Sequence, residues 1–591
     1  MAKRSKKRNP VAGPTSARVA AGHLPSARFT RDWFGALILL TGVILVYQPV
    51  WYAGFIWDDD NLITANPCII GPLGLKEVWT TNAADICPLT ITTFWAEHAL
   101  WGFAPCPYHL ATVLLHGLCA VVLWRVLRNL AVPGAWLGAA LWAFHPVQVE
   151  SVAWITETKN TQSGLFFLLS ILFFLKGLPP RDGDGRAGNG AYALTLIFAA
   201  LAMASKSSAV VLPVVLCLCA WWNEGRWRWR HLMKVAPIFL MSIAAGLVSI
   251  WTQRLNGADD PQWALSWPQR LVAAGDAVWF YLGKLLWPQS LTLVYPRWQI
   301  DAGRWISYLP LLAVIVGLII LWAWRRSWGR PCFFAVTCFL VALLPVLGLV
   351  SMSFSRYSLV ADHFQYLAGM APLALAGAAM ARWTGVVLAG KSWLGSILGA
   401  GLLLTLGLLS WQRAWVYENN GTLWTDTLAK NPNCWVGHNN LGDFLRQKGE
   451  MTEAMAHFEK AAELNPHYAE AHNNLGNTFT QTGRTDDALV EYQKALAIRP
   501  AYAEAHNNLG IALAQKGRLD EAIVQFRKAL EIAPNLARVH TNVALALFRE
   551  GRMTEAVAEF QEVVRLKPDD HNAQINLARA QTMAERTSAP K

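Results

Sequence analysis

Charged residues are scarce in this chain: 15% of 591 residues, against about 25% in an ordinary soluble domain. Together with 54% hydrophobic residues and 30 Trp, that scarcity excludes a disordered chain and a wholly soluble one. Several other signals are missing. The nine Cys show no zinc-site spacing. Five of them (Cys119, Cys217, Cys219, Cys332, Cys338) fall in apolar runs and read as small buried side chains. Cys68, Cys87 and Cys106 share the first large loop, where an oxidising compartment would allow one disulfide pair. No A-x-A cleavage site follows the first apolar run, so it reads as an uncleaved helix rather than a signal peptide. No pair of inverted broken helices marks a transporter. The net charge is +12, but no basic stripe gathers it on one soluble face, which excludes a nucleic-acid surface.

That charge sits instead in the N-terminal tail (Lys3, Arg4, Lys6, Lys7, Arg8, Arg18, Arg28, Arg31) and in short loops between apolar runs. The positive-inside rule places it there. The chain thus divides into a polar, basic tail over 1–31, expected to be disordered and cytoplasmic, a membrane domain over 32–412, and a polar helical region over 413–591. Hydropathy predicts spans near 34–53, 108–124, 133–147, 161–177, 191–204, 208–222, 235–251, 306–324, 331–350, 366–382 and 393–411. The 269–287 segment reads as a re-entrant or interfacial helix, because a twelfth crossing would put Arg325, Arg326 and Arg330 outside. Eleven crossings put the C-terminal region opposite the N-terminus. In a bacterial inner membrane that side is the periplasm. The predicted fold class is all-α.

With this threading, the unusual polar residues collect on the outer side. Trp57-Asp58-Asp59-Asp60-Asn61 opens the first outer loop. The second holds His145-Pro146-Val147-Gln148-Val149-Glu150 and Glu157-Thr158-Lys159-Asn160. Ser205-Lys206, Arg356-Tyr357 and Asp362-His363-Phe364-Gln365-Tyr366 complete the set. Ionisable groups at membrane depth are costly and usually functional. Each also has an ordinary reading. Three Asp in a row make a solvated turn, His145 before Pro ends a helix, Lys206 snorkels to the interface, and Arg356 with Asp362 forms a structural pair.

The C-terminal region carries a period of 34 residues in Pro432, Pro466, Pro500, Pro534 and Pro568, the signature of tetratricopeptide repeats. Full repeats fall at 433–466, 467–500, 501–534 and 535–568, with a half-repeat at 415–430 and a capping helix near 569–585. Leu441-Gly442, Leu475-Gly476 and Leu509-Gly510 are the packing pairs, and Val543-Ala544 is a looser copy. Ala454, Ala488, Ala522 and Ala556 mark the helix crossings, and Phe458, Tyr492, Phe526 and Phe560 the core. Asn440, Asn474, Asn508, Asn542 and Asn576 recur on the same place of each first helix. An amide both donates and accepts, so this ladder suits the backbone of an extended polypeptide client. The alternative is that these Asn bond local backbone or the neighbouring repeat.

In combination, these motifs resemble the GT-C superfamily of membrane glycosyltransferases, above all the transmembrane and tetratricopeptide-repeat O-mannosyltransferases and their bacterial relatives. The matching residues are Trp57-Asp58-Asp59, His145-Pro146-Val147 with Glu150, and Asp362-His363 with Tyr366-Leu367. Ala204-Ser205-Lys206 with Leu212-Pro213 is similar to the lysine segment of the aminoarabinose transferases. His-Asn-Asn-Leu-Gly resembles the repeats of O-GlcNAc transferases. The resemblance implies a polyprenyl-phosphate sugar donor, a polypeptide client on the repeats, and contact with membrane lipids. It implies Asp58 as base or metal ligand with Asp59 beside it, and Lys206, Arg356, His363 and Lys159 as phosphate or donor holders. His145 and Glu150 would orient the acceptor. A divalent ion, Mg or Mn, would sit on Asp58 and Glu150. His363 stands about where the animal mannosyltransferases have Arg. The competing function class is a non-catalytic membrane scaffold whose repeats recruit partners in envelope assembly.

The threading makes one direct prediction. A reporter active only outside the cytoplasmic membrane should work when fused after Lys591 and stay silent when inserted near Gly183. The reverse pattern would remove the outer-cavity argument.

Overall fold

The computed structural model describes all residues except 1–25, 72, 82–86, 179–188, 259, 388–391 and 589–591. The expected tail lies mostly outside the described residues, although the first helix, Ser26–Val46, starts within it. The Arg181–Arg186 loop lies outside them too. Among the described residues every regular element is helical, as predicted.

Seven helices are long and apolar enough to cross a membrane: Pro105–Asn129, Ser207–Glu224, Trp229–Leu255, Trp305–Ala323, Gly329–Val346, Met370–Val387 and Trp393–Tyr417. The other four predicted spans coincide with shorter or more polar helices. The shortest, Ala135–Ala143, has 9 residues, about 14 Å at 1.5 Å per residue, against a hydrocarbon core of about 30 Å. Small residues let this helix lie backbone to backbone on Met370–Val387. A Cβ on Gly138 would stand 2.9 Å from the Ala374 Cα, and one on Gly377 2.6 Å from the Gly138 nitrogen. Helix Trp267–Leu286 is outside the seven. It buries Val272, Ala273, Ala277, Tyr281 and Leu285 while Trp267, Leu271, Trp279 and Leu286 stay exposed.

After Ala143 the chain departs from the expected outer loop. Pro146 blocks helix continuation. Three short turns follow, at Pro146–Gln148, Val149–Ala153 and Ile155–Glu157, before helix Thr158–Lys176 begins. Every residue from 141 to 158 is buried. This polar segment is an interior element, enclosed by the first loop, helix Trp267–Leu286 and helix Ser392–Ala414. Cys68 and Cys106 carry free thiols, so no disulfide pairs the three loop cysteines.

The repeats appear as predicted. Four helix pairs run from Trp435–Gln447 with Met451–Leu464 to Ala537–Arg549 with Met553–Leu566, and His571–Ser588 caps them. A Cβ at Gly476 would come within 2.6 Å of the Tyr492 ring, so the tight pair requires Gly. The superhelix is seated directly on the membrane domain. Lys430 Nζ donates to the Leu291 carbonyl at 2.8 Å and Asn431 Nδ2 to the Val294 carbonyl at 3.2 Å. The Gly54 N–H donates to the Glu418 carbonyl at 2.9 Å. Trp435 stacks on Trp263 at 6.3 Å.

Within each repeat a histidine of the first helix reaches the second helix 19 residues on. His472 meets Glu491 at 2.7 Å, His506 meets Gln525 at 2.8 Å, and His540 meets Glu559 at 2.6 Å. In the first repeat the partner is another imidazole: His438 Nδ1 and His457 Nδ1 are 2.9 Å apart. The Pro432 carbonyl takes the His438 Nε2 proton at 3.0 Å, so His457 donates between the two rings. Burial pushes both imidazoles below the usual His range, and His438 pushes His457 further down. A depressed folded pKa gives stability that is present above the unfolded value of about 6.5 and lost as pH falls through it. The melting temperature of the repeats should therefore drop between about pH 7 and pH 5. His457→Glu, which installs the partner type of the second and fourth repeats, should remove most of that drop. An equal drop in the variant would show that the pair is not responsible.

Candidate active site

Trp57 has φ of +44°, a conformation costing about 1–2 kcal/mol for a residue with a side chain. Packing holds it there. Its ring stacks on Trp154 at 5.1 Å and meets the edge of Trp424 at 5.3 Å, and its N–H donates to Asn420 Oδ1 at 2.9 Å. The turn sends the two following carboxylates to different places. Asp58 is half-buried and accepts from Asn61 Nδ2 at 3.0 Å. Asp59 is fully buried and accepts from the Ile56 N–H at 2.9 Å, the Thr156 N–H at 2.7 Å and the Thr156 hydroxyl at 2.6 Å. It staples the first loop to the Ile155–Glu157 turn. Burial pushes its carboxyl up to about 7, against those three hydrogen bonds. Of the expected acidic pair, only Asp58 is reachable from outside.

The centre of the site is Glu157, which is 1% exposed. Its carboxylate takes Lys159 Nζ at 2.9 Å, Lys206 Nζ at 3.2 Å and Asn160 Nδ2 at 2.6 Å. Lys206 also donates to Asn160 Oδ1 at 2.7 Å. Asn160 Nδ2 further reaches Ser151 Oγ and the His363 carbonyl, each at 3.0 Å. Burial alone would push Glu157 up, but the neighbouring cations override it and hold the carboxyl far below the usual range. His363, Lys159 and Lys206 contribute to this in that order, and burial pushes His363 itself down to about 3. Lys206 is lowered by burial and partly restored by Glu157. Two ammonium groups meet on the Glu157 carboxylate, and Asp58 lies within charge range of Lys159.

Behind this cluster His363 Nδ1 meets Glu150 Oε1 at 2.5 Å, and His363 Nε2 stands 4.0 Å from Glu157. Burial, then Asp362 and Glu157, raise Glu150 well above the carboxylate range. Asp362 accepts from the Tyr295 hydroxyl at 3.0 Å, and burial lifts it to about 6. Arg413 lies within charge range of both carboxyls and bridges to Asp426 at 2.5 Å.

The structure thus gathers Lys159, Lys206, His363 and Glu150 into one cluster with Asp58 alongside. Arg356 is exposed, over the Tyr357 ring at 4.7 Å, nearer the repeats than the lysines. His145 stands apart, with Nε2 on the Leu285 carbonyl at 3.0 Å and Nδ1 accepting from the Val147 N–H at 3.3 Å. Both its nitrogens serve the backbone. Among the described residues no three His, Cys, Asp or Glu side chains gather as a metal set. The asparagine ladder is cross-linked from repeat to repeat. Asn474 Nδ2 donates to Asn439 Oδ1 at 3.0 Å, Asn508 to Asn473 at 3.0 Å and Asn542 to Asn507 at 2.8 Å. Each amide spends a donor on its neighbour, while Asn440 and Asn576 are half-buried at the ends. Sequence reasoning missed Glu157 and Asn160 as site residues. Their signal was an acid followed by a lysine and an amide at the mouth of an apolar helix.

The TPR repeat family matches residues 442–483 and 476–517, and the Tetratricopeptide repeat family matches 503–536 and 537–570. The chain is similar to Protein O-mannosyl-transferase Tmtc2 of Drosophila melanogaster, 27% identical over 51% of this chain and 33% of that protein. It is also similar to Protein O-mannosyl-transferase TMTC3 of Homo sapiens, 23% identical over 73% of this chain and 51% of that protein. The matched part spans about half or less of these relatives.

Asp59 gives the pH test of this arrangement. A carboxyl whose folded pKa is raised contributes stability below its unfolded value of about 3.9, and this is lost as pH rises through the folded value near 7. Wild type should lose thermal stability from about pH 4 to pH 7 more steeply than Asp59→Asn. Parallel curves would mean that the staple is ionised throughout.

Proposed function

We propose that this chain is a membrane glycosyltransferase that moves a sugar from a polyprenyl-phosphate carrier to a hydroxyl of a protein acceptor held by the repeats. The observation that carries this reading is the Lys159–Glu157–Lys206 cluster beside the half-buried Asp58. The similarity to O-mannosyl-transferases supports it.

Each residue has a defined task. The bond from the anomeric carbon to the carrier phosphate breaks, and a bond from that carbon to the acceptor oxygen forms. The Asp58 carboxylate takes the acceptor proton. Lys159 and Lys206 neutralise the departing phosphate inside a site with little water, where such charge stabilisation is strongest. Glu157 holds both ammonium groups in place before the donor arrives. His363, neutral and fixed by Glu150, closes the back of the site. The reading places the site on the outer face of a bacterial inner membrane, with the repeats periplasmic.

Glycoproteomics of envelope proteins from cells with the chain, without it, and with Asp58→Asn tests the proposal. Sugar-bearing peptides should disappear without the chain. They should fall at least about 100-fold with a normally inserted Asp58→Asn variant, the lower end of what a lost general base costs. An unchanged glycan pattern in both strains would leave the chain as a scaffold.

A further inference from the structure

An apolar cavity of about 360 Å³ lies among the membrane helices, within the range of ligand sites of roughly 300–1,000 Å³. Helices Pro105–Asn129, Thr158–Lys176, Leu212–Glu224, Gly329–Leu343 and Met370–Val387 form its walls. The last of these turns Ala371, Leu375, Ala378 and Arg382 towards it, one face of a helix. Gly377 and Ala381, on another side of that helix, pack against Gly138 and Gly134. From Met370 to Arg382 the lining runs about 18 Å at 1.5 Å per residue, close to one hydrocarbon leaflet, half of about 30 Å.

The two ends of the cavity differ. Towards the site, between Asn160 and the lining residue Phe167, a Cβ on Gly164 would stand 2.9 Å from the Tyr366 ring and 3.5 Å from Leu367, so the end is closed by packing. At the far end Arg382 and Trp328 are exposed, and Trp328 lies 5.7 Å from the exposed Trp324. Tryptophans gather in this way at headgroup level. Arg382 is the only charged residue lining the cavity, and it has no ion-pair or hydrogen-bond partner among the described residues. The neighbouring acids are already bridged. Asp32 holds Arg125 and Arg128 at 2.9 and 2.5 Å, and Glu224 holds Arg228 and Arg230 at 2.6 and 3.2 Å.

We propose that this cavity holds an acyl chain of an anionic phospholipid from the leaflet opposite the site, with the headgroup phosphate on Arg382. The proposal does not rest on the glycosyl-transfer reading. A slot lined by Ala, Leu, Phe and Val offers water almost no partners, whereas a hydrocarbon chain restores the dispersion contacts its walls lack. The unpaired guanidinium at the mouth matches a phosphate in geometry and charge, and a basic residue at the surface favours a lipid with net negative charge. The bound chain packs on Leu367, directly after Tyr366, and so braces the segment that carries His363. A polyprenyl chain anchored at Lys159 and Lys206 would have to pass the Gly164–Tyr366 contact to enter the same slot.

The test uses the full chain in detergent with added phosphatidylglycerol or phosphatidylcholine of identical acyl chains, read by native mass spectrometry and by melting temperature. Phosphatidylglycerol should be retained at least about fivefold more tightly than phosphatidylcholine, the scale of one basic residue at an anionic headgroup, and should raise the melting temperature more. Arg382→Gln should erase that preference and Arg382→Lys should keep it. Ala378→Leu, which fills the slot, should lower retention of both lipids at least about fivefold; if that variant does not fold, Arg382→Gln decides alone. Equal retention of the two lipids by wild type, an unchanged preference in Arg382→Gln, or full retention by a folded Ala378→Leu variant would each overturn the proposal. One-for-one displacement of phosphatidylglycerol by polyprenyl phosphate would give the slot to a carrier tail and overturn it as well.

Discussion

One buried carboxylate organises this site. Glu157 is almost free of water and holds two lysines and an amide within 3.2 Å. Removing one partner of such a group typically costs about 3–5 kcal/mol, because the remaining charge stays buried. Evolution of a merely stable core would not need it, since apolar residues of equal volume do as well or better. What the arrangement provides is two ammonium groups fixed in a low-dielectric pocket. An anion arriving there finds donors already oriented.

The rest of the chain supports that placement. The short helix Ala135–Ala143 and the Pro146 break turn the chain inward, so that Glu150 and Glu157 come from successive turns of one interior segment. Asp59 ties the first loop to the same segment through Thr156. The strained Trp57 then points Asp58 to the open side. The repeats are part of this construction. Asn420 holds the Trp57 backbone, and Arg413 links Asp426 of the first C-terminal helix to the carboxyls behind His363. A repeat domain attached this way is positioned relative to the site, which a flexible tether would not achieve.

The period of 34 residues and the apolar runs made the all-α, two-part architecture legible in the sequence, because both depend on local pattern. The span count was less legible. Hydropathy sees apolar length, and it does not register that Gly138 and Gly377 press a nine-residue helix into the bundle. Composition also gathered Asp58, Lys159, Lys206 and His363 on one side, but pairing was out of its reach. Asp58 and Asp59 are adjacent in sequence yet face opposite ways because of one positive φ. Glu157 lay in view among the outer polar residues, but its role depends on Lys206, 49 residues away. The cross-links of the Asn ladder lay beyond local pattern, because they join amides 35 residues apart.

The central claim is that Lys159 and Lys206, set by Glu157, hold the phosphate of a lipid carrier. The direct measurement is equilibrium binding of a polyprenyl phosphate without sugar to the full chain in nanodiscs, compared with Lys159→Ala, Lys206→Ala and the double variant. Each single change is predicted to weaken binding at least about tenfold, the scale of one lost charge-assisted hydrogen bond, and the double change to abolish it at micromolar lipid. Polyprenyl phosphate binding to the folded double variant as tightly as to wild type would contradict the account.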